Sequence, residues 1–365
     1  MADKGLTSCA EARSDGSFFM IDLPINWDRR NFVVNSLPMP LIPHSDHSSP
    51  FYLFNGHLQT IIPSVLRKVK GVNYRRERIR TSDGDFLDLD WSDSSQPSRR
   101  LAILSHGLEG DSQRHYILGM VRELNAQGWH ALAWNFRGCS GEPNSQLRFY
   151  HSGATEDLEQ VVQYALKTGR YDSIALIGFS LGGNLTLKYL GERGQDLHPE
   201  IKRSVVFSVP MDLQACSRKI GLRSNFIYNR RFLKSLREKV KTKALLMPEL
   251  LSLDAYRKVQ TIEDFDEYYT APLHGFEGAK DYYQQCSSKH FLAHIAIPTL
   301  IVNAKNDPFL APECYAEDLV KDLAHVFLEI PQKGGHCGFF SNTLHGTYWS
   351  EERALQFLSD TNENG

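Results

Sequence analysis

The sequence predicts an α/β fold: a mostly parallel sheet with helices on both faces, an antiparallel N-terminal hairpin and an inserted helical lid. Three patterns carry this expectation. Short, continuous apolar runs, as in strands buried on both faces, alternate with stretches of helical period. Two segments with strand patterning flank Ser82-Asp83-Gly84-Asp85, as in a hairpin. Residues 213–290 hold several amphipathic stretches and no convincing strand, although they lie between two strands of the sheet.

The elements follow in order. Residues 1–50 carry Pro38, Pro40, Pro43 and Pro50 among Ser and His clusters, and read as an extended arm whose first fifteen or so residues are mobile. FYLFNGHLQTIIPSVL (51–66) turns apolar and reads as the start of the core, with a short helix. In the hairpin, Leu87, Leu89 and Trp91 alternate with Asp88 and Asp90, which predicts an antiparallel edge with one wet face. LAILS (101–105) is the first buried strand. A helix follows in which Ile117, Met120, Val121 and Leu124 share a face, ending at Gly128. Then come WHALAW (129–134), a helix near 153–168, IALIG (174–178), a helix from Leu181 to about Arg193, and SVVFS (204–208). After the insertion lie TLIVN (299–303), a helix near 312–323, HVFLEI (325–330) and a last helix near 350–359. The expected organisation is an arm over 1–50, a core over 51–212 and 291–365, and a helical lid over 213–290.

Composition narrows the function classes. Of 365 residues 41% are hydrophobic, which is enough for a sizeable core and excludes wholesale disorder. The 41 Lys and Arg against 43 Asp and Glu leave a net charge of −2, with no global reason to expect a nucleic-acid partner. No secretory leader or membrane span is expected from the sequence. The six cysteines are scattered without a CxxC pair, so neither a disulfide framework nor a zinc site is expected, and reduced thiols in the cytoplasm fit.

Chemistry enters at Gly178-Phe179-Ser180-Leu181-Gly182. This GxSxG follows the strand IALIG and opens the helix LGGNLTLKYL, so Ser180 stands on a sharp strand-to-helix turn. A serine needs a base, and the base needs an orienting acid. Asp307 lies four residues past TLIVN, held in a loop by Pro308; His336 lies six past HVFLEI, in a glycine-bracketed turn. Other histidines (His290, His294, His325, His345) follow no strand in such a turn. Asp318 and Asp322 fall in the helix expected near 312–323, while Asp264 and Asp266 fall in the insertion. Directly after the first parallel strand, His106-Gly107-Leu108 supplies an oxyanion loop, with backbone N–H groups of Leu108 and Leu181 as the two donors. His106 reads as a structural residue of that loop. The pattern His106-x-x-x-x-Asp111, also found in acyltransferases, reads as accidental there.

With these residues in place the chain resembles the α/β-hydrolase superfamily. Within it, the resemblance is to bacterial hydrolases, plant embryogenesis-associated proteins and animal α/β-hydrolase-domain esterases. It rests on FNGHLQT (54–60), SHGLEG (105–110), NFRGCSGE (135–142), FYHSGATEDL (149–158), GFSLGGN (178–184), NDPF (306–309) and GGHCGF (334–339). The resemblance implies hydrolysis of carboxylic esters by a triad of Ser180, Asp307 and His336, with no cofactor and no metal. Arg137 and His151, in two of these stretches, read as loop-fixing or pocket-lining residues. The animal members carry an N-terminal membrane anchor that is not expected here, which weakens any lipid role taken from them.

Residues 217–243 hold ten Lys or Arg and one Glu, a net of +9, interleaved with Phe226, Ile227, Phe232, Leu233, Leu236 and Val240. Such a lid fits an anionic membrane surface or an anionic substrate, but a solvated outer face is the reading preferred from sequence. The expectation is a cytoplasmic serine esterase acting on small-molecule esters of short-to-medium acyl chain. Amidase, peptidase or acyltransferase chemistry on the same triad, or a binding protein of hydrolase fold, are the alternatives.

Overall fold

The computed structural model describes residues 40–341 and 343–359, so most of the expected arm, residues 1–39, lies outside the described residues. Nine strands form one sheet: β1 (Leu41–Ile42), β2 (Arg75–Arg80), β3 (Phe86–Ser92), β4 (Arg100–Ser105), β5 (His130–Asn135), β6 (Ser173–Phe179), β7 (Ile201–Phe207), β8 (Thr299–Val302) and β9 (Val326–Glu329). Their order is β1-β9-β8-β7-β6-β4-β5-β3-β2. Pairing is parallel from β1 to β5 across the sheet and antiparallel at β5–β3 and β3–β2. Leu41–Ile42, assigned from sequence to the arm, pairs with β9 as an edge strand.

The period-2 alternation of the strands decides which helix covers which face. Ala102, Leu104, Ala131, Ala133, Ile177 and Leu300 face α2 (His115–Ala126) and the last helix, which bring Met120, Val121, Leu124 and Phe357. The neighbouring residues Leu101, Ile103, Leu132, Trp134, Leu176 and Ile301 face α3 (Thr155–Lys167) and α4 (Leu181–Arg193), which bring Leu158, Val161, Leu185 and Leu190. Ahead of the sheet, α1 (Gly56–Leu66) is capped by the Asn55 side chain, which accepts the Leu58 N–H at 2.9 Å.

Two expectations are corrected here. The hairpin does form the antiparallel edge of the sheet, but the wet face expected on its second strand is absent. Strand β2 is the edge, while all seven residues of β3 are buried. Asp88 and Asp90 tolerate burial because Arg78 and Arg76 on β2 close bidentate pairs over them at 2.7–2.8 Å. Nor is there one helix over 312–323. A 3₁₀ turn (Pro312–Cys314) and a four-residue helix, Glu317–Val320, stand there, separated where Ala316 takes φ 32°.

Between β7 and β8 the chain leaves the sheet as α5 (Leu213–Gly221), α6 (Phe226–Leu246), α7 (Ile262–Phe265), a π-helical turn (Asp266–Thr270), α8 (Ala271–His274) and α9 (Ala279–Cys286). This segment has an apolar centre of its own, in which Leu236, Val240, Ile262, Phe265 and Tyr269 pack together with Leu108 and Phe149 of the core. The remaining helices are α10 (Glu317–Val320) and α11 (Trp349–Ser359).

Candidate active site

Ser180 sits between β6 and α4 with φ 53° and ψ −120°, a backbone conformation that side-chain-bearing residues rarely adopt. Its neighbours make the turn feasible. A Cβ on Gly182 would stand 2.4 Å from the Ser105 carbonyl oxygen, so only glycine lets α4 begin this close to β4. Glu109, Ser208, Cys337 and Phe339 also have positive φ, and all lie in loops at the same end of the sheet. Strain of this kind costs roughly 1–3 kcal/mol per residue and persists where surrounding structure over-determines it.

The three sequence-selected side chains converge. His336 Nε2 lies 2.9 Å from Ser180 Oγ, and His336 Nδ1 lies 2.8 Å from Asp307 Oδ2. The other Asp307 oxygen accepts the Phe309 N–H at 2.8 Å, which fixes the carboxylate plane. With Asp307 as acceptor, Nδ1 carries a proton and Nε2 is left to accept from the serine. Burial disfavours the imidazolium, but the Asp307 charge outweighs it and holds His336 above its ordinary 6.5.

The loop after β4 is fixed from three sides. The Tyr116 hydroxyl accepts the Gly107 N–H at 3.1 Å, and the Tyr150 hydroxyl accepts the Glu109 N–H at 2.9 Å. His106 is wholly buried, and burial pushes its pKa down to about 3, so it is neutral. Its Nε2 accepts the Phe136 N–H at 3.2 Å and its Nδ1 donates to the Gly107 carbonyl at 2.8 Å, a structural duty. Leu108 and Leu181 both line the cleft beside Ser180 and His336. Asp111, the second residue of the acyltransferase-like pattern, accepts from the Gln113 N–H at 3.0 Å.

A cleft opens above Ser180, between core and lid. Leu213, Ile220, Phe232, Leu236, Val240, Ile262 and Phe265 line its lid side. His151 lines it too, whereas Arg137 does not. Arg137 instead binds Asp83, Asp85 and Asp157 beneath the loops. A polar corner is made by Asp266, Thr270 and Tyr283. Asp266 accepts from the Thr270 and Tyr283 hydroxyls at 2.6 and 2.7 Å, and burial raises its carboxyl to about 6.

FNGHLQT, a stretch with no role evident in the sequence alone, positions the loops that carry Asp307 and His336. Gln59 Oε1 accepts from Asn306 Nδ2 at 2.9 Å and from the Gly334 N–H at 2.7 Å. Thr60 Oγ1 accepts the His336 N–H at 2.9 Å. A Cβ on Gly56 would fall 1.9 Å from the Asn306 carbonyl, so the start of α1 lies directly against the acid loop. Its signal was a polar Gln-Thr pair inside an otherwise apolar segment.

The basic stretch also divides in a way not expected. Lys219 donates to the carbonyls of Asp307 and Leu310. Lys239 Nζ lies 2.9 Å from both Glu109 Oε1 and Cys139 Sγ, and Lys243 donates to Asn144 and Gln146. These three turn inward, so the lid is not simply a solvated charged face.

Comparison with known proteins bears on this arrangement. The candidate esterase YheT of Escherichia coli (strain K12) is 36% identical over 84% of this chain and 90% of that protein. Phospholipase ABHD3 of Mus musculus is 31% identical over 77% of this chain and 70% of its own length, and the embryogenesis-associated protein EMB8 of Picea glauca is 26% identical over 86% and 72%. Among solved structures, the Pyrococcus furiosus esterase Pf2001 superposes with a TM-score of 0.51 at 17% identity, over 80% of this chain and 97% of that one, a likeness of fold alone. The sequence model of the alpha/beta hydrolase fold family matches residues 103–343, which run from the first parallel strand through the His336 turn. By that match and by its relatives, the chain belongs to the alpha/beta hydrolase fold family.

Proposed function

We propose that the protein is a serine esterase using Ser180, His336 and Asp307, and that it cleaves carboxylic esters of short-to-medium acyl chain. The carrying observation is the unbroken relay from Asp307 Oδ2 through the imidazole to Ser180 Oγ, at 2.8 and 2.9 Å. An esterase or lipase-type hydrolase is also what its named relatives describe. In this reading Ser180 Oγ attacks the ester carbonyl as His336 Nε2 takes its proton. The Leu108 and Leu181 N–H groups receive the oxyanion. His336 returns the proton to the departing alkoxide, and then activates a water that releases the acid. The lid roofs the cleft, which supports a limited acyl length. The buried, free cysteines among the described residues support a reducing compartment, the cytoplasm.

The test is labelling with a fluorophosphonate probe, followed by a chain-length series of p-nitrophenyl esters. Wild type should label and Ser180→Ala should not; equal labelling of both would reject the nucleophile. Activity confined to long-chain triglyceride at an interface would reject the acyl range.

A pH profile examines the orienting acid. A base must be neutral to accept a proton, and Asp307 stabilises the charged imidazole. The acid limb of kcat/KM is therefore expected above pH 6.5, the ordinary value that His336 exceeds. Asp307→Asn should move that limb downward and lower kcat by roughly 10³–10⁴-fold. An unmoved limb would show that another group titrates.

A further inference from the structure

We propose that the outer face of α6, together with the segment leading into α1, docks on an anionic lipid bilayer. The inference adds to the esterase reading a surface from which substrate is drawn. Of the ten cations in residues 217–243, seven point outward: Arg218, Arg223, Arg230, Arg231, Lys234, Arg237 and Lys241. Five of these, from Arg230 to Lys241, recur at three-, four- and seven-residue spacing on one side of α6. Exposed acid beside them is sparse. Glu238 lies 3.9 Å from Lys241, and Glu263 lies 3.6 Å from Arg218.

Charge alone describes many solvated helices. The second observation is apolar. Phe226 and Ile227, one turn before Arg230 and Arg231, are 58% and 69% exposed. The Arg230 guanidinium stands 6.0 Å from the Phe226 ring, so cation and aromatic share the face. In the segment leading into α1, Phe51 and Phe54 are 88% and 72% exposed. The two segments meet where His57 of α1 stacks on Tyr228 of α6, with 5.7 Å between rings. Large apolar groups exposed together and rimmed by cations suit an interface with acyl chains below and anionic headgroups around.

Position supports the same occupant. The Tyr228 ring packs on Phe309 at 4.7 Å, and Phe309 packs on His336 at 4.2 Å. Two ring contacts therefore join Tyr228, on the inward side of α6 behind this face, to the catalytic base. A lipid ester lifted from a bilayer here has little distance to travel. A nucleic acid would use the cations but leave the four exposed apolar side chains unused.

The experiment is co-sedimentation of the full chain with vesicles of phosphatidylcholine alone or with 30% phosphatidylserine, in low salt and in 0.5 M NaCl. Binding is expected on the anionic vesicles in low salt and is weakened by added salt. Replacing Arg230, Arg231 and Lys234 together by Ala should weaken partitioning about a hundredfold, at roughly fivefold per cation. Phe226→Ser with Ile227→Ser should weaken it while the charges remain. Both variants should keep wild-type hydrolysis of p-nitrophenyl acetate, which shows that they fold. Absence of wild-type binding to anionic vesicles in low salt overturns the proposal, as does undiminished binding by the Phe226/Ile227 variant. Binding to a short RNA but not to vesicles overturns it in favour of nucleic acid. Loss of p-nitrophenyl acetate hydrolysis in wild type would instead reject the esterase reading and leave the docking result standing.

Discussion

Ser180→Ala is expected to lower kcat by about 10⁵–10⁶-fold while changing KM little, because nucleophile and base act as one unit. His336→Ala should cost a similar factor, and the double variant no more than either single one. What survives should still exceed the uncatalysed rate by roughly 10³–10⁴, since main-chain donors and the cleft remain. The fold should be unaffected. Ser180 Oγ has one hydrogen-bond partner among the described residues, His336, and alanine keeps the Cβ that the elbow already accommodates at φ 53°. Steady-state kinetics on a soluble ester, with thermal melts of each variant, make the check. A Ser180→Ala protein retaining a few per cent of wild-type kcat would place the nucleophile elsewhere.

Arg137→Met is expected to have the largest effect on stability, with no group of the cleft touched. The guanidinium donates to Asp157 at 2.8 and 2.7 Å, to Asp85 at 2.9 Å and to Asp83 at 2.8 Å. The side chains of Arg137, Asp85 and Asp157 are each at most 1% exposed. Removing the cation leaves buried carboxylates without their counter-charge, at a cost of about 3–5 kcal/mol. At roughly 2–4 °C per kcal/mol, the melting temperature should fall by on the order of 10 °C. The effect has a sign in pH. Burial holds Asp157 above the ordinary 3.8 despite the Arg137 charge. It also pushes Asp83 and Asp85 up, but there the hydrogen bonds and the Arg137 charge outweigh it, and those two sit below 3.8. Their contribution is complete above 3.8 and is lost as pH falls through the lower folded values. The wild type–variant difference should therefore be widest near neutrality and narrow in acid. Melts from pH 7 down to pH 3 decide this; a difference that widens in acid would contradict the account.

Much of this site was legible in the sequence because it is built from short-range patterns. A strand, GxSxG and a helix define the Ser180 elbow locally, and Asp307 and His336 each follow their own strand. The less legible parts depend on partners far away in the chain. Asp88 and Asp90 alternate as solvent-facing residues should, and only their pairing with Arg78 and Arg76 shows why they are buried. Lys239 and Lys243 lie three and seven residues after the buried Leu236, so helical phase pointed them inward. Their acceptors, Glu109 and Asn144, lie 130 and 99 residues earlier. Arg137 followed the same rule. Its motif was visible, but the three carboxylates that explain it come from a hairpin turn and a separate helix.

The splint formed by α1 has a consequence for biosynthesis. Thr60 and His336 are joined by a hydrogen bond across 276 residues, and Gln59 reaches Gly334 across 275. A ribosome releases the α1 segment before any paired strand of the core beyond β1, yet its partners emerge some 275 residues later. Closing so long a loop is entropically costly and slow compared with forming neighbouring strand–helix units. The sheet can thus be largely assembled on a nascent chain while the imidazole still lacks its backbone anchor. On the proposed mechanism, a chain stalled before the His336 turn is folded in part but lacks its base.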